Sequence, residues 1–190
     1  EFQSTIGRET GRLGQLIDDL LDVSRLNSSR FDLQKQHLSI EEVIGSATRS
    51  FYAAASEGNI GIKEDIEPGL PNVEADEARI RQVLVNLLSN AVKFSPSGTE
   101  ITVRASQRDD AILIEVQDQG VGIPEESKPH IFERFYRVDS SLTRNTVGTG
   151  LGLYISKQLI EAHDGRIWLE RSLDEGTTFS FILPLADAGP

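Results

Sequence analysis

Hydrophobic positions along the chain alternate between helical and strand periods. From about Thr5 to Leu26, Ile6, Leu13, Leu16, Ile17, Leu20 and Val23 follow a heptad-like stripe widened by Ile17, which predicts a helix packed in a bundle. Gly7, Gly11 and Gly14 weaken its first half, and Asn27-Ser-Ser reads as a hinge. A short strand is predicted around Phe31–His37. Ser39-Ile-Glu-Glu42 then forms a capping box, and Ile40, Val43, Ile44, Ala47 and Phe51 carry a helical stripe to about Ser56. Ile60 and Ile62 alternate in a second strand, closed by Pro68-Gly69.

Asp76 is placed to cap the next helix, which runs to about Lys93 with Ile80, Val83, Leu84, Leu87, Leu88 and Ala91 on its core face. Asn86, Asn90 and Lys93 share a flank roughly 130° from that face. Ser95-Pro-Ser-Gly98 breaks the helix. Two strands follow, Glu100–Ser106 and Ala111–Asp118, joined through Arg108-Asp-Asp110. Because strand side chains alternate, Asp118 continues the inward row of Ile112, Ile114 and Val116. A carboxylate delivered to an interior edge requires a partner, and in a pocket a ligand can be that partner. A helix from about Leu151 to His163 ends at Asp164-Gly165, and strands Arg166–Arg171 and Thr177–Leu183 are joined by the hairpin connection Leu173-Asp-Glu-Gly176. Pro184 ends the structure. The pattern predicts a two-layer α/β sandwich, with helices on one face of a mixed sheet, behind one long bundle helix. The expected division is residues 1–29 for that helix and 30–187 for the domain.

Composition narrows the function. The 190 residues hold room for one core domain plus an extra element, with 38% hydrophobic and 26% charged residues, as in a soluble globular protein. No run is long enough to span a bilayer and no leader pattern is present, so a soluble cytoplasmic domain is expected, from a parent that is membrane-anchored or not. The beginning Glu1-Phe2 and the lack of Met suggest a fragment. A formal net charge of −11 argues against nucleic acid or an anionic membrane as the main partner. Zero Cys excludes disulfides, thiolate metal sites and Cys nucleophiles, and the three His, His37, His130 and His163, have no second His or Cys at zinc-ligand spacing.

The remaining chemistry lies between Asp118 and Leu153, where two glycine clusters bracket a loop and the second opens a helix. Glycines at a helix start let the backbone wrap an anion, with unpaired N–H groups and the helix dipole favouring phosphate. This suggests a nucleotide pocket with a lid. Gly148-Thr-Gly-Leu-Gly-Leu lacks the Lys-Ser/Thr of a Walker loop, and its spacing and position fail the dinucleotide fingerprint. Alone, it reads equally as a flexible loop with close helix packing. Asn90 alone reads as a helix-surface amide, but a Mg²⁺ held mainly by nucleotide phosphates needs few protein oxygens, and one Asn carbonyl suffices. Lys93 adds a point charge for phosphate or is a solvated helix-end cation. Phe132, Phe135 and Tyr136 read as core plugs under the lid. Arg137 and Arg144 are lid cations, either solvated or turned to a terminal phosphate. His130 has no acid adjacent in sequence, and His37 and His163 read as structural or surface residues.

Taken together, four segments are far more specific than any one of them. They are Asn86-Leu-Leu-Ser-Asn90-Ala-Val-Lys93-Phe94, Asp118-Gln-Gly120-Val-Gly122-Ile, Phe132-Glu-Arg-Phe135-Tyr-Arg137 and Gly148-Thr-Gly150-Leu-Gly152-Leu. In this order and spacing the chain resembles the catalytic, ATP-binding domain of bacterial sensor histidine kinases, of the Bergerat-fold superfamily, over about Phe31 to Leu183. The segments match that family's asparagine, first glycine, phenylalanine and second glycine boxes. The Leu16–Leu26 segment is similar to the second helix of its dimerisation domain.

The resemblance implies ATP and Mg²⁺ as cofactors. Asp118 would accept from the adenine amino group, and Gly120 and Gly122 would admit the base and sugar. Asn90 would hold Mg²⁺ with Asn86 beside the phosphates, Lys93 and Arg137 would contact phosphate oxygens, and Phe94 would stand near the nucleotide. Gly148, Thr149, Gly150, Leu151 and Gly152 would form the lid hinge and phosphate wrap. The implied reaction is transfer of the γ-phosphoryl group to a His and then to a response-regulator receiver domain, within a homodimer held by the dimerisation and phosphoacceptor domain. Hydrolytic relatives carry Glu four residues before the metal-binding Asn; Asn86 stands there and is a poor general base. An acidic residue normally follows the acceptor His. Here only His163 is so followed, by Asp164 at a helix end, so the acceptor helix is expected to be missing. The competing readings are a related ATPase or Ser kinase, and a nucleotide-gated dimerisation module.

Overall fold

The computed structural model describes residues 14, 16–26, 32–138, 148–173 and 176–186. The expectations on Ile6, Gly7, Gly11, Leu13, the 27–29 hinge, Arg144 and residues 174–175 of the hairpin lie outside them. A helix α1 covers residues 16–26, followed by β1 (Gln36–Leu38), α2 (Ile40–Glu57), β2 (Gly61–Ile66), β3 (Val73–Ala75), α3 (Glu77–Phe94), β4 (Glu100–Arg108), β5 (Ala111–Asp118), α4 (Gly152–Ala162), β6 (Arg166–Leu173) and β7 (Gly176–Pro184).

The main sheet has five strands in the order β2-β4-β5-β7-β6. β2 and β4 run parallel, and every other neighbouring pair is antiparallel. A parallel pair needs a long crossover, and the chain makes it through β3 and α3. β1 and β3 form a separate antiparallel ladder. β3 escapes a pattern reading because it is only three residues long, although Val73 and Ala75 are buried on either side of exposed Glu74.

Cross-strand register builds the core. Val103, Val116 and Phe179 share one row of the sheet, and Ala105, Ile114 and Phe181 the next. Against this face packs α3, whose Ile80, Val83, Leu84, Leu87, Leu88 and Ala91 are all buried. Each of the Ile, Val and Leu side chains buried this fully contributes about 1.5–3 kcal/mol. The sheet is mixed and its helices lie on one face, as the alternation predicts.

Side-chain caps lock the N-termini of α2 and α3. Ser39 Oγ accepts from Glu42 N at 3.4 Å, and Asp76 Oδ1 accepts from Arg79 N at 3.2 Å. Asp76 also accepts from Gln34 N at 3.0 Å through its other oxygen, which ties the segment before β1 to α3. His163 is not a surface residue. It is buried, Nε2 accepts from Asp76 N at 3.0 Å, and Nδ1 therefore carries the proton it donates to Leu159 O at 2.7 Å.

The heptad stripe of α1 is divided between two faces. Val23 and Leu26 pack against the domain core, and Asp22 bonds Arg79 at 3.2 Å and Gln82 at 2.7 Å on α3. Ile17, Leu20 and Leu21 face outward. Among the described residues no helix is long and apolar enough to cross a membrane.

Candidate functional site

Between α3, the end of β5 and the head of α4 lies a cavity of about 520 Å³, within the range of small-ligand pockets. Its apolar part is floored by Ile131 and Phe179, with Val121, Ile123 and Leu153 at the walls. Phe132 packs edge-on against Phe179, at 6.1 Å between ring centroids, and so supports this floor from behind.

Asp118 ends β5 opposite Thr177 of β7 and is 7% exposed. One oxygen, Oδ1, accepts from Gly120 N at 2.8 Å and Thr177 N at 3.2 Å. Burial raises its pKa above the ordinary carboxylate value, with the Gly120 and Thr177 amides opposing part of that rise. A carboxylate lining a cavity with one oxygen fixed by backbone is an acceptor aimed by the fold rather than by a flexible side chain. Gly120 makes the geometry feasible: a Cβ there would stand 2.7 Å from Phe94 O and 2.8 Å from Asp118 Oδ1. Just beyond, Ile123 N donates to Ser172 Oγ at 2.6 Å, which holds the first glycine segment against β6.

At the other end, α3 presents Asn86, Asn90 and Lys93 to the cavity, as their shared flank predicts. Lys93 Nζ lies 4.7 Å from the Phe94 ring centroid. Its pKa is lowered by burial first and by the Arg137 charge second. A lysine that remains cationic under those two pressures gains from an anion placed between it and the arginine. Gly148 faces it, with only 3.2 Å between Nζ and the place a Cβ would take.

The second glycine segment is held by α3 and by the phenylalanine segment. Asn86 Nδ2 donates to Gly152 O at 2.5 Å and to Ser156 Oγ at 3.2 Å, so its amide staples α3 to the first turn of α4. Gly150 has φ +73°, and a Cβ on it would meet the Phe135 backbone at 2.7 Å. Phe135 N in turn donates to Gly150 O at 2.9 Å. This pairing explains why Phe135 departs from the expected core plug: the backbone contact holds it at φ +62° and leaves the residue 61% exposed. Tyr136 lines the cavity instead.

The structure thus gathers Asn86, Asn90, Lys93, Phe94, Asp118, Gly122, Arg137, Gly148, Thr149, Gly150 and Gly152 around one cavity. Gly120 and Leu151 stand just behind it. Leu151 is fully buried in the core, and its N–H donates to Thr149 Oγ1 at 3.1 Å. His130 has an acid after all: Glu133, three residues on, approaches its Nδ1 at 2.8 Å. Pattern reading missed Asp19, Ile131, Thr177 and Phe179. The last two become visible only when β5 and β7 are set in register, and Asp19 only when α1 is docked.

The chain matches the family model described as histidine kinase-, DNA gyrase B- and HSP90-like ATPase over residues 75–187. It is 35% identical over 185 residues to the sensor histidine kinase WalK of Bacillus subtilis, covering 96% of this chain and 30% of that protein. The crystal structure of full-length ShkA in complex with AMPPNP superposes with a TM-score of 0.84 at 32% identity, over 98% of this chain and 39% of ShkA. The histidine kinase ThkA in complex with the response regulator TrrA gives a TM-score of 0.79 at 28% identity, over 97% of this chain and 51% of that one. Among its curated relatives the chain spans 20% of the length of one and 47% of another. With sequence, fold and cavity in agreement, the chain belongs to the histidine kinase-, DNA gyrase B- and HSP90-like ATPases.

Proposed function

We propose that this chain is the ATP-binding catalytic part, residues 30–187, of a sensor histidine kinase, preceded by part of a dimerisation helix in residues 1–29. The observation that carries the reading is Asp118: a buried carboxylate, oriented by two backbone amides, lines the same cavity as Asn90, Lys93 and Arg137. Its unheld oxygen is an acceptor for an exocyclic amino group such as that of adenine. The cationic end suits a polyphosphate.

Asn90 contributes an amide at that end. Among the described residues no three His, Asp or Glu side chains gather to hold a metal ion, and the cavity's donor set suits a cation held largely by nucleotide oxygens. When bound, Mg²⁺ would neutralise charge on the phosphoryl oxygens. Lys93 and Arg137 would supply positive charge to the anion, and Gly148, Thr149, Gly150 and Gly152 would let backbone come close to it. Phosphoryl transfer asks a protein mainly for such positioning and charge.

Transfer to a protein is favoured over hydrolysis by Asn86. Where hydrolytic relatives carry a water-activating Glu, its amide group is engaged with Gly152 and Ser156 and has no basic group to offer. The acceptor is a His on a dimerisation helix outside this sequence, within a homodimer, and the next acceptor is a receiver-domain Asp of a response regulator. The test is incubation with γ-labelled ATP, Mg²⁺ and a supplied acceptor helix. Acid-labile label on the helix His is the expected result, and release of free phosphate with no labelled helix would overturn it.

A further inference from the structure

Asp19 is the one α1 side chain lining the cavity among the described residues, and it lies outside the segment matched by the family model. It is 7% exposed, and its Oδ2 accepts from Thr149 Oγ1 at 2.8 Å. The same hydroxyl accepts from Leu151 N at 3.1 Å. A threonine hydroxyl has one proton to donate, and here it goes to α1. An anion at the head of α4 would need that proton. It would also meet the Asp19 carboxylate beside the Lys93 and Arg137 end of the cavity.

The helix that carries Asp19 is anchored independently. Asp22 holds Arg79 and Gln82, and Val23 and Leu26 pack on the core, so Asp19 is delivered by a docked surface rather than by a wandering side chain. We infer that Asp19 is a competitor for the phosphate end of the site, so that the docked α1 and a bound polyphosphate exclude one another at Thr149. The inference rests on the nucleotide reading of the cavity and names an anionic ligand end as the thing excluded. Adenosine, which lacks phosphate, is indifferent to Asp19. Because coupling is reciprocal, a polyphosphate that displaces Asp19 also loosens α1 from the domain.

The test uses the full 190-residue chain and calorimetric titration with Mg-ATP and with adenosine. Asp19→Asn removes the charge and Asp19→Ala removes charge and acceptor. Both are expected to tighten ATP binding by roughly three- to tenfold, the scale of one partly screened like-charge contact, with a smaller gain at high salt. Adenosine affinity should stay as in the unsubstituted chain. In that unsubstituted chain, hydrogen exchange across residues 16–26 should quicken with Mg-ATP and not with adenosine. Unchanged or weaker ATP binding in both variants, with α1 exchange indifferent to ATP, would overturn the inference. Asp118→Asn separates the two levels. If it abolishes ATP binding while the Asp19 variants change nothing, the nucleotide site stands and the competition falls. If neither the unsubstituted chain nor Asp19→Ala binds ATP, the nucleotide reading itself fails.

Discussion

At the residue scale, Asp118 shows function held at a cost in stability. Its folded pKa is raised above the ordinary 3.8, chiefly by burial, so folding favours its protonated form. That contribution to stability is fully present below about pH 3.8 and is lost as pH rises through the folded value. At neutral pH the ionised group therefore weighs against the fold. Asp118→Asn keeps an oxygen for Gly120 and Thr177 and removes the charge. We expect its urea midpoint at pH 7 to equal or exceed that of the unsubstituted chain while ATP affinity drops roughly 10- to 100-fold, the scale of a lost charged hydrogen bond. Equal affinity by calorimetry would remove the base-reading role. His163 behaves in the opposite sense. Burial lowers its pKa below 6.5, followed by the raising effect of the Leu159 carbonyl, the lowering effect of Lys35, and the raising effects of Asp76 and Asp164. The neutral ring is the folded form, so its contribution is complete above about pH 6.5 and disappears as pH falls through the lower folded value. A pH series of denaturation midpoints should show this decline below neutrality, and His163→Gln should flatten it.

At the element scale, α3 serves three surfaces at once. One face is core, its N-terminus is capped by Asp76 and clasped by His163, and its flank supplies Asn86, Asn90 and Lys93. The Asn86 bonds to Gly152 and Ser156 transmit the position of α3 to the first turn of α4. Ser156 is fully buried, so its hydroxyl loses its donor partner if Asn86 is shortened. Asn86→Ala is expected to destabilise the domain by about 1–3 kcal/mol, the cost of leaving buried polar groups unpaired. It should also weaken ATP more than adenosine, because the head of α4 serves the phosphate end. Parallel loss of both ligands in titrations would show that α4 was never positioned this way.

At the scale of the whole molecule, α1 has two sides with different occupants. Its Asp19, Asp22, Val23 and Leu26 side meets the domain, while Ile17, Leu20 and Leu21 are 57%, 49% and 49% exposed. A row of apolar residues at that spacing suits a second copy of the helix in the proposed homodimer. Leu20→Lys with Leu21→Lys should leave ATP affinity intact and lower self-association about tenfold or more, read by sedimentation. An unchanged sedimentation profile would assign that face to another partner. The net charge of −11 adds a second global effect. A polyphosphate approaches against the field, so association should quicken as salt screens the surface, even though salt weakens its local contacts.

Much of this molecule is written in local periodicity. Alternation in β5 fixes the side on which Asp118 lies, and the helical spacing of Asn86, Asn90 and Lys93 fixes their common flank, because both follow from backbone geometry within one element. Asp76 as a cap is legible for the same reason, whereas the close approach at Gly120 is to Phe94 of α3 and depends on how the elements pack. Other features depend on which elements meet. Thr177 becomes the second amide on Asp118 only through the β5–β7 register, and β3 takes its form from pairing with β1 and from the Val73–Leu185 bridge. Phe135 is apolar by sequence yet exposed because Gly150 holds its backbone. Asn86 belongs to the α4 staple and Asp19 to the cavity lining beside Thr149, since a polar side chain takes whichever partner packing brings within hydrogen-bond reach. Period and spacing determine the surfaces each element presents; the docking of one element on another decides what those surfaces touch.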